Sequence, residues 1–253
     1  TKAVKDGDEY VVNGQKMWTS LASESHYCWL AVRTDPDAPK HKGISIMAVD
    51  MDDPGITVDN LHLLSTHDIA AVFYDDVRVP ASRLVGEENK GWNYITNQLN
   101  HERITIAAPG LLQPAYDDVV AWAAATKDSN GQRVIDQEWV QVNLARVHAG
   151  LEFLRLANWK TAWDATNGNM DVALASTIKV FGTEWFLESF RLLMEIVGPR
   201  SYLERNSVDD QVAGRLETLY RSLIILTFGG GTNEIQRDLI GMFGMSLPRT
   251  LRG

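Results

Sequence analysis

One carboxylate, that of Glu102, lies among apolar residues at helical spacing. The series is Ile95, Leu99, Glu102 and Ile106. Steps of four, three and four residues place these side chains on one face of a helix. A carboxylate on an apolar face loses hydration, which disfavours its charged form and makes it a stronger base. The pattern therefore indicates a general base for removing a proton near neutral pH, with a structural ion pair to Arg103 or another cation as the alternative.

Composition limits the classes of protein that could carry such a base. The chain has 253 residues, of which 45% are hydrophobic and 23% charged, as expected of a soluble globular protein with one large domain or two small ones. Its 33 acidic residues exceed its 24 basic ones, and no run of Lys or Arg offers a footprint for nucleic acid. No apolar run approaches the roughly 20 residues that span a bilayer, so we expect no membrane segment.

Cysteine usage and the first residue bear on location and completeness. Cys28 is the single cysteine, so an intrachain disulfide is excluded and a cytoplasmic location is expected. The chain starts at Thr1 rather than at an initiator Met, and no signal-like stretch follows. We therefore expect a fragment of a longer protein.

The elements that must hold Glu102 fall into two halves, and the first half is β-rich. Strand signals cover 9–12, 16–20, 26–33, 43–50, 56–59 and 70–79, and turn-rich segments separate most of them. The dipeptide Asn13-Gly14 predicts a hairpin turn between the first two strands. These features predict an all-β barrel or sandwich domain over residues 1–85.

The second half is helical, because the apolar period changes after residue 80 from two residues to three or four. Predicted helices cover about 91–126, 136–166, 171–197 and 208–228, and a short one starts at Thr232 or Asn233. Long helices with short connections predict an all-α antiparallel four-helix bundle over residues 86–253.

Helix boundaries follow from prolines, a glycine and a capping residue. Pro109 and Pro114 should kink or divide the first helix, because proline removes a backbone donor and clashes with the preceding turn. Asp136 is the expected N-cap of the second helix. Gly198 followed by Pro199 should end the third.

Three separated segments resemble the acyl-CoA dehydrogenases. They are Asn-Gly-Gln-Lys-Met-Trp-Thr-Ser at 13–20, the passage from Val-Arg-Val-Pro at 77–80 through Gly86 to Gly91-Trp92, and Gly-Thr-Asn-Glu-Ile-Gln-Arg at 231–237. The resemblance implies a flavoprotein with a central β domain and a C-terminal four-helix bundle, the family's N-terminal helical domain being missing from this chain. It also implies that an acyl-CoA loses its pro-R α-proton to a base and its β-hydride to flavin N5, giving a trans-2-enoyl-CoA.

The resemblance also bears on the base. In many family members a Glu directly precedes the Gly-Thr of the last motif, and here that position is Gly230. The isovaleryl and long-chain members instead carry the base in a Glu-Arg pair on the first bundle helix and have a small residue before the Gly-Thr. Glu102-Arg103 and Gly230 match this second pattern, so the resemblance favours Glu102 as the catalytic base. Arg103 resembles the residue that holds the CoA pantetheine region, with an ion pair to an acidic neighbour as its alternative role.

Contacts to FAD are implied by the first and last motifs. Trp18 resembles the aromatic residue beside the flavin ring, and Thr19 and Ser20 resemble the groups that hydrogen-bond near N5 and the pyrimidine oxygen. Thr232 and Glu234 resemble residues that touch the adenosine half of the same FAD. Without the flanking motif Trp18 would be interpreted as an ordinary core aromatic, and Thr232 can also serve as a helix N-cap.

Two departures fall on contacts that homotetrameric members make to a neighbouring subunit's flavin. Their Arg-x-x-Phe-Gly motif is absent from residues 125–133, and their Gln and glycine-rich turn is replaced by Glu-Ile-Val-Gly-Pro-Arg-Ser at 195–201. Glu195 is negative where a pyrophosphate favours a polar or positive group. The resemblance therefore suggests a hetero-oligomer in which a homologous acyl-CoA dehydrogenase subunit lends the missing arginine, as in the α2β2 dehydrogenases of actinobacterial sterol degradation. A homo-oligomer is the alternative.

A further departure concerns the start of the chain. The segment Thr-Glu-Pro-x-Ala-Gly-Ser-Asp, which contacts flavin and acyl-CoA in family members, is not found here. The chain by itself therefore need not be active, even if its full-length parent is an enzyme. The acyl group is not specified by these residues.

Two other functions stay open. An acyl-CoA oxidase would pass electrons from flavin to oxygen, whereas a dehydrogenase passes them to an electron-transfer flavoprotein. A non-catalytic subunit would only complete a partner's site, and the retained Trp18, Glu102 and Thr232 argue against it. The histidines show no metal-ligand spacing with cysteine, so no metal site is expected, and His101 should lie on another helix face than Glu102.

Overall fold

The chain forms two compact units, residues 1–98 and 99–253. A computed structural model describes residues 1–65, 68–169, 171–204 and 211–248. The domain boundary predicted between residues 85 and 86 stays a prediction, because a helix that begins at Gly91 runs across the division between the two units.

The first unit is built on one seven-stranded sheet. Its strands are β1 (Lys2–Asp6), β2 (Glu9–Ser20), β3 (Tyr27–Arg33), β4 (Ile44–Asp50), β5 (Ile56–Leu61), β6 (Ile69–Pro80) and β7 (Leu84–Val85). Their order in the sheet is β5-β6-β2-β1-β3-β4-β7, and every neighbouring pair is antiparallel except β1 with β3. Alternate residues such as Tyr10, Val12, Leu30 and Val32 are buried, as the period of two requires. The predicted β-rich first half is confirmed.

The hairpin predicted at Asn13-Gly14 is wrong. Strand β2 continues through both residues with a register shift against β6, and the hairpin instead joins β1 to β2, where Asp6 pairs with Glu9. The Asn13 side chain donates to Asp76 Oδ1 at 2.9 Å and accepts from the Asp76 backbone N–H at 2.9 Å. Gly14 has a φ of 132°. An Asn-Gly pair suits any left-handed or bulged backbone, so here it marks a β-bulge rather than a turn.

The rest of the chain is helical. The helices are α1 (Gly91–Ile106), α2 (Gln113–Ala125), α3 (Glu138–Thr166), α4 (Val172–Val197), α5 (Gln211–Leu223) and α6 (Asn233–Leu239). Within residues 99–253, one face of α3 carries Val140, Leu144, Val147, Leu151 and Leu154, which are all buried with side chains of α2, α4 and α5. The predicted helical second half is confirmed. No helix of the described residues combines the length and the hydrophobicity needed to cross a bilayer.

Helix ends agree with the sequence signals in two places and differ in a third. Pro109 and Pro114 divide the first predicted helix into α1 and α2, and Gly198, with a φ of 77°, ends α4. Asp136 is not the N-cap of α3, because Gln137 occupies that position without a side-chain hydrogen bond. The Asp136 carboxylate instead accepts two hydrogen bonds from the guanidinium of Arg133, at 2.8 and 2.7 Å, and these hold its pKa below the usual range.

Candidate active site

Helix α1 presents Glu102 on a partly open face. Leu99, Glu102 and Ile106 are all half-buried, as their shared spacing predicts. The end of α1 is fixed by Ala107, which is fully buried, and a Cβ on Gly182 of α4 would lie only 2.5 Å from the Ala107 Cβ. Close approach at Gly182 therefore fixes the C-terminal end of α1 at Ala107, five residues after Glu102.

The Glu102 carboxylate is not neutralised by a partner. Within the described part of the chain it forms neither an ion pair nor a hydrogen bond, and Thr105 donates only to its backbone carbonyl, at 2.9 Å. The structural ion pair that the sequence left open is thus not formed with Arg103. His101, the next residue, is exposed.

Arg103 is buried and bound to neighbouring groups of the helical unit. It is only 8% exposed, its Nε donates to the Gly230 carbonyl at 3.1 Å, and its Nη1 donates to Asn100 Oδ1 at 2.8 Å. Burial lowers the pKa of Arg103, and the negative charge of Glu102 opposes that shift. Arg103 therefore links α1 to the glycine turn 229–231.

The glycine turn lies against the helix turn that carries Glu102. Gly230 and Gly231 have φ values of 67° and 97°, in the region that favours glycine. A Cβ on Gly230 would lie 3.0 Å from Ile106 Cδ1 and 3.7 Å from Arg103 Cγ. A side chain at position 230 would therefore project toward α1 at Arg103 and Ile106, the residues one and four positions after Glu102. The two positions at which relatives of the resembled family carry a base are neighbours in this fold.

Substituting Gly230 by Ala should lower the free energy of unfolding. A left-handed backbone costs a residue with a Cβ about 1–2 kcal/mol, and Ile106 must also move by a few tenths of an ångström. The matched control is Gly229→Ala, because Gly229 has no positive φ and its Cβ would meet only the Ile225 carbonyl, at 3.7 Å. Chemical denaturation should show a loss for Gly230→Ala and no loss for Gly229→Ala; equal losses would contradict this reading of the turn.

Lys179 of α4 is a residue that the sequence analysis missed. Its side chain is fully buried, and its ammonium donates to the Thr227 carbonyl at 3.0 Å, the Gly231 carbonyl at 2.9 Å and Asn233 Oδ1 at 2.7 Å. Burial lowers its pKa to about 8. The sequence does contain a signal for this burial, because Lys179 lies one helical turn after Ala175, on the same face of a largely apolar helix.

Thr232 is the N-cap of helix α6. The Thr232 hydroxyl accepts a hydrogen bond from the Ile235 N–H at 3.4 Å, so the N-cap role is present. Asn233 is buried and donates to Thr183 Oγ1 and Glu184 Oε1 at 3.1 Å each. Glu234 is exposed in the first turn, where its own backbone N–H and the Thr232 hydroxyl lower its pKa.

Trp18 occupies a β-bulge in the sheet unit. The register of β2 against β6 shifts between Lys16 and Thr19, and Trp18 within this bulge has a φ of 63°. Its side chain is 65% exposed, so it is not a core aromatic. The hydroxyls of Thr19 and Ser20 have no hydrogen-bond partner among the described residues. An exposed indole and two free hydroxyls on a strained backbone are typical of a binding surface.

Comparison with protein-family models decides the family. Residues 1–77 match the acyl-CoA dehydrogenase middle domain, and residues 89–245 match the acyl-CoA dehydrogenase C-terminal domain. The chain belongs to the acyl-CoA dehydrogenase family. The resemblance inferred from the three motifs is thereby confirmed.

Several relatives of this acyl-CoA dehydrogenase chain are known. It is 51% identical to acyl-CoA dehydrogenase FadE26 and 42% identical to acyl-CoA dehydrogenase FadE29, both of Mycobacterium tuberculosis. All of this chain is covered in both cases, and it spans 64% of the length of each relative.

Solved structures give the same assignment. The ChsE4–ChsE5 complex from Mycobacterium tuberculosis has a TM-score of 0.89 at 51% identity, covering 99% of this chain and 65% of that chain. The Tcur3481–Tcur3483 steroid ACAD has a TM-score of 0.90 at 43% identity, covering 99% of this chain and 64% of that chain.

The two departures from the family pattern can now be placed in the dehydrogenase fold. Arg133, the arginine of the region that lacks the Arg-x-x-Phe-Gly motif, is held by both carboxylate oxygens of Asp136. Glu195 lies near the end of α4, is exposed, and accepts a hydrogen bond from Asn143 Nδ2 at 3.0 Å. The arginine of the first segment is therefore paired, and the second segment adds an exposed carboxylate. Among the described residues, no three His, Cys, Asp or Glu side chains gather into a set that could hold a metal ion.

Proposed function

We propose that this chain carries the base and the flavin-ring contacts of an FAD-dependent acyl-CoA dehydrogenase that converts an acyl-CoA to its trans-2-enoyl-CoA. The observation that carries the proposal is the Glu102 carboxylate, which is unpaired among the described residues, on a half-buried face beside Gly230. Family membership supports the reaction class.

Glu102 would remove the α-proton of the acyl thioester. A carboxylate serves this purpose when it is partly shielded from water and not already neutralised, because both conditions preserve its basicity. Leu99 and Ile106 provide an apolar surface on either side of it. Exclusion of water by bound substrate would strengthen the base further and protect the developing enolate.

The sheet unit supplies residues that fit FAD. The exposed indole of Trp18 offers an apolar plane, and the free hydroxyls of Thr19 and Ser20 offer hydrogen bonds next to it. Thr232 and Glu234 remain the residues proposed for the adenosine half. FAD, when bound, would accept the β-hydride.

Replacing Trp18 by Gly should weaken FAD binding without loss of stability. Glycine relieves the left-handed backbone, worth about 1–2 kcal/mol, while its flexibility in a strand costs about 0.5–1 kcal/mol. Trp29→Gly is the control, because Trp29 is 50% exposed but has no positive φ in the regular strand β3. Thermal unfolding should show that Trp29→Gly is less stable than the parent and that Trp18→Gly is as stable as the parent. Flavin fluorescence should show that Trp29→Gly retains FAD, whereas Trp18→Gly binds FAD more weakly. The reverse order would refute the assignment.

Arg103 is proposed to serve the substrate side as well as the fold. Its Nε and Nη1 are bound internally, and Nη2 is left for a further acceptor such as the pantetheine portion of CoA. The pantetheine contact itself rests on the family resemblance.

A bulky acyl group, such as a sterol-derived one, is the proposed substrate class. Gly230 carries no side chain, so the chain lacks the glutamate that would project toward Ile106 and Arg103 from this position. The steroid ACAD named above is similar over 99% of this chain, which supports the same class.

A homologous partner subunit is proposed to complete the flavin site. Arg133 is committed to Asp136, and Glu195 adds a negative charge, so the chain is poorly suited to bind the pyrophosphate of a neighbouring copy. The similar ChsE4–ChsE5 structure is a complex of two differently named chains, which supports such a partner. An electron-transfer flavoprotein is the proposed electron acceptor.

The test uses the full-length natural product, co-purified with its partner from the native host. The complex is mixed without oxygen with sterol-derived, branched and straight-chain acyl-CoAs, and loss of oxidised-flavin absorbance is followed. Reduction by at least one acyl-CoA, fastest for a bulky one, is expected. No reduction by any of them would overturn the proposed function, and rapid reoxidation of the reduced complex by air would identify an oxidase.

A further inference from the structure

Lys179 lies at the centre of a polar cluster inside the helical unit. Its ammonium has three donors, and all three are used by the Thr227 carbonyl, the Gly231 carbonyl and Asn233 Oδ1, at 2.7 to 3.0 Å. Two of these acceptors belong to the chain segment 227–231, which leads from the short helical turn Ile224–Thr227 into the glycine turn. Lys179 thus fixes both ends of this segment.

The segment held by Lys179 also holds Arg103. Between the two anchored carbonyls lies Gly230, whose own carbonyl accepts from Arg103 Nε at 3.1 Å and from Gln236 Nε2 at 3.3 Å. Gln236 is fully buried, and a Cβ on Gly231 would lie 2.6 Å from its Nε2. The turn therefore has little freedom while Lys179 is bound, and α1 is attached to it next to Glu102.

We propose that Lys179 is a positioning residue for the reaction, which fixes segment 227–231 so that Gly230 anchors Arg103 and the adjoining Glu102 keeps its orientation. This inference rests on the proposed function, in which Glu102 is the base. Lys179 contacts neither substrate nor flavin in this account, and it acts only through the two carbonyls and the amide that it binds.

The charge of Lys179 makes its role dependent on pH. Burial has the largest effect on the pKa of Lys179 and lowers it to about 8. Three charged groups also act on this pKa: Glu184 of α4 and Glu234 of α6 raise it, and Arg103 of α1 lowers it. A neutral amine has two N–H donors for three acceptors. Above pH 8 the segment should therefore be held less firmly, and the rate of flavin reduction should fall.

The test compares Lys179→Met with Lys160→Met in the full-length complex. Lys160 is an exposed residue of α3 that pairs with Asp164, so its variant controls for removal of a helical lysine. For Lys179→Met we expect the substrate-saturated rate of flavin reduction to fall by about 10²-fold, in line with a 1 Å misplacement, and KM to change less. The variant's rate should also no longer decrease above pH 8, because the titrating amine is gone. Parent-like rates and pH profile would overturn the proposal.

Two further measurements keep the test decisive if Lys179→Met folds poorly or no substrate is found. Glu184→Gln removes a carboxylate that raises the pKa of Lys179, so the alkaline fall should move to lower pH; an unmoved profile would overturn the proposal. A crystal structure of the Lys179→Met complex should show Arg103 displaced from the Gly230 carbonyl. If the 3.1 Å contact between Arg103 and the Gly230 carbonyl is retained, the positioning role of Lys179 is overturned, whatever the reaction is. If the parent complex shows no flavin reduction, that result counts only against the proposed function.

Discussion

Replacing Glu102 by Gln should lower the rate constant for flavin reduction by an acyl-CoA by about 10²–10⁴-fold, the usual contribution of a general base. Glutamine keeps the size and hydrogen-bonding capacity of the side chain but cannot accept the α-proton. Because Glu102 has no bonded partner among the described residues, the substitution should leave stability unchanged. Stopped-flow absorbance of the full-length complex measures the rate.

His101→Gln is the control for this substitution. His101 is the preceding residue of α1 and is exposed, so its replacement should leave the rate at the parental value. FAD content should also be parental in both variants, because neither residue is proposed to contact the flavin. A Glu102→Gln complex that reduces its flavin at the parental rate would exclude Glu102 as the base.

The full-length chain produced without its partner should retain little FAD. The cofactor's pyrophosphate is doubly negative, and the segments that would serve a neighbouring copy offer the committed pair Arg133–Asp136 and the exposed carboxylate of Glu195. Co-production with the homologous subunit should restore one FAD for each unlike pair. Flavin absorbance per chain, measured together with the mass of the assembly, reports both quantities.

The same preparation can fail in an informative way. If the full-length chain forms a homo-oligomer with one FAD per subunit, the hetero-oligomer is refuted, and Glu195 and Arg133 need another explanation. If it forms a flavin-free dimer that takes up FAD only after addition of the partner, the flavin site is completed across the unlike interface.

Local sequence signals predicted the elements that carry the site. The period of three to four residues, the prolines at 109 and 114 and Gly198 located α1, α2 and the end of α4, because each acts within a few residues of its own position. The half-buried face of α1 likewise follows from the spacing of Leu99, Glu102 and Ile106. Motif resemblance then identified the family.

Contacts between distant segments could not be predicted in this way. Arg103 and Gly230 are separated by 127 positions, and Lys179 and Gly231 by 52, so no local pattern links them. The backbone preference of Asn13-Gly14 suits a hairpin turn and a β-bulge equally well, and only the pairing with β6 distinguishes the two. The left-handed backbone of Trp18 is imposed by a register shift in the same pairing.

Proton removal by Glu102 can be measured apart from hydride transfer. The complex is incubated in D2O with a bulky acyl-CoA analogue whose β-carbon is replaced by an atom without hydrogen, and deuterium uptake at the α-carbon is followed by NMR. We expect exchange in the parent complex and exchange slowed by about 10²-fold or more in Glu102→Gln, with the analogue still bound. Equal exchange in the two complexes would contradict the assignment of Glu102 as the base.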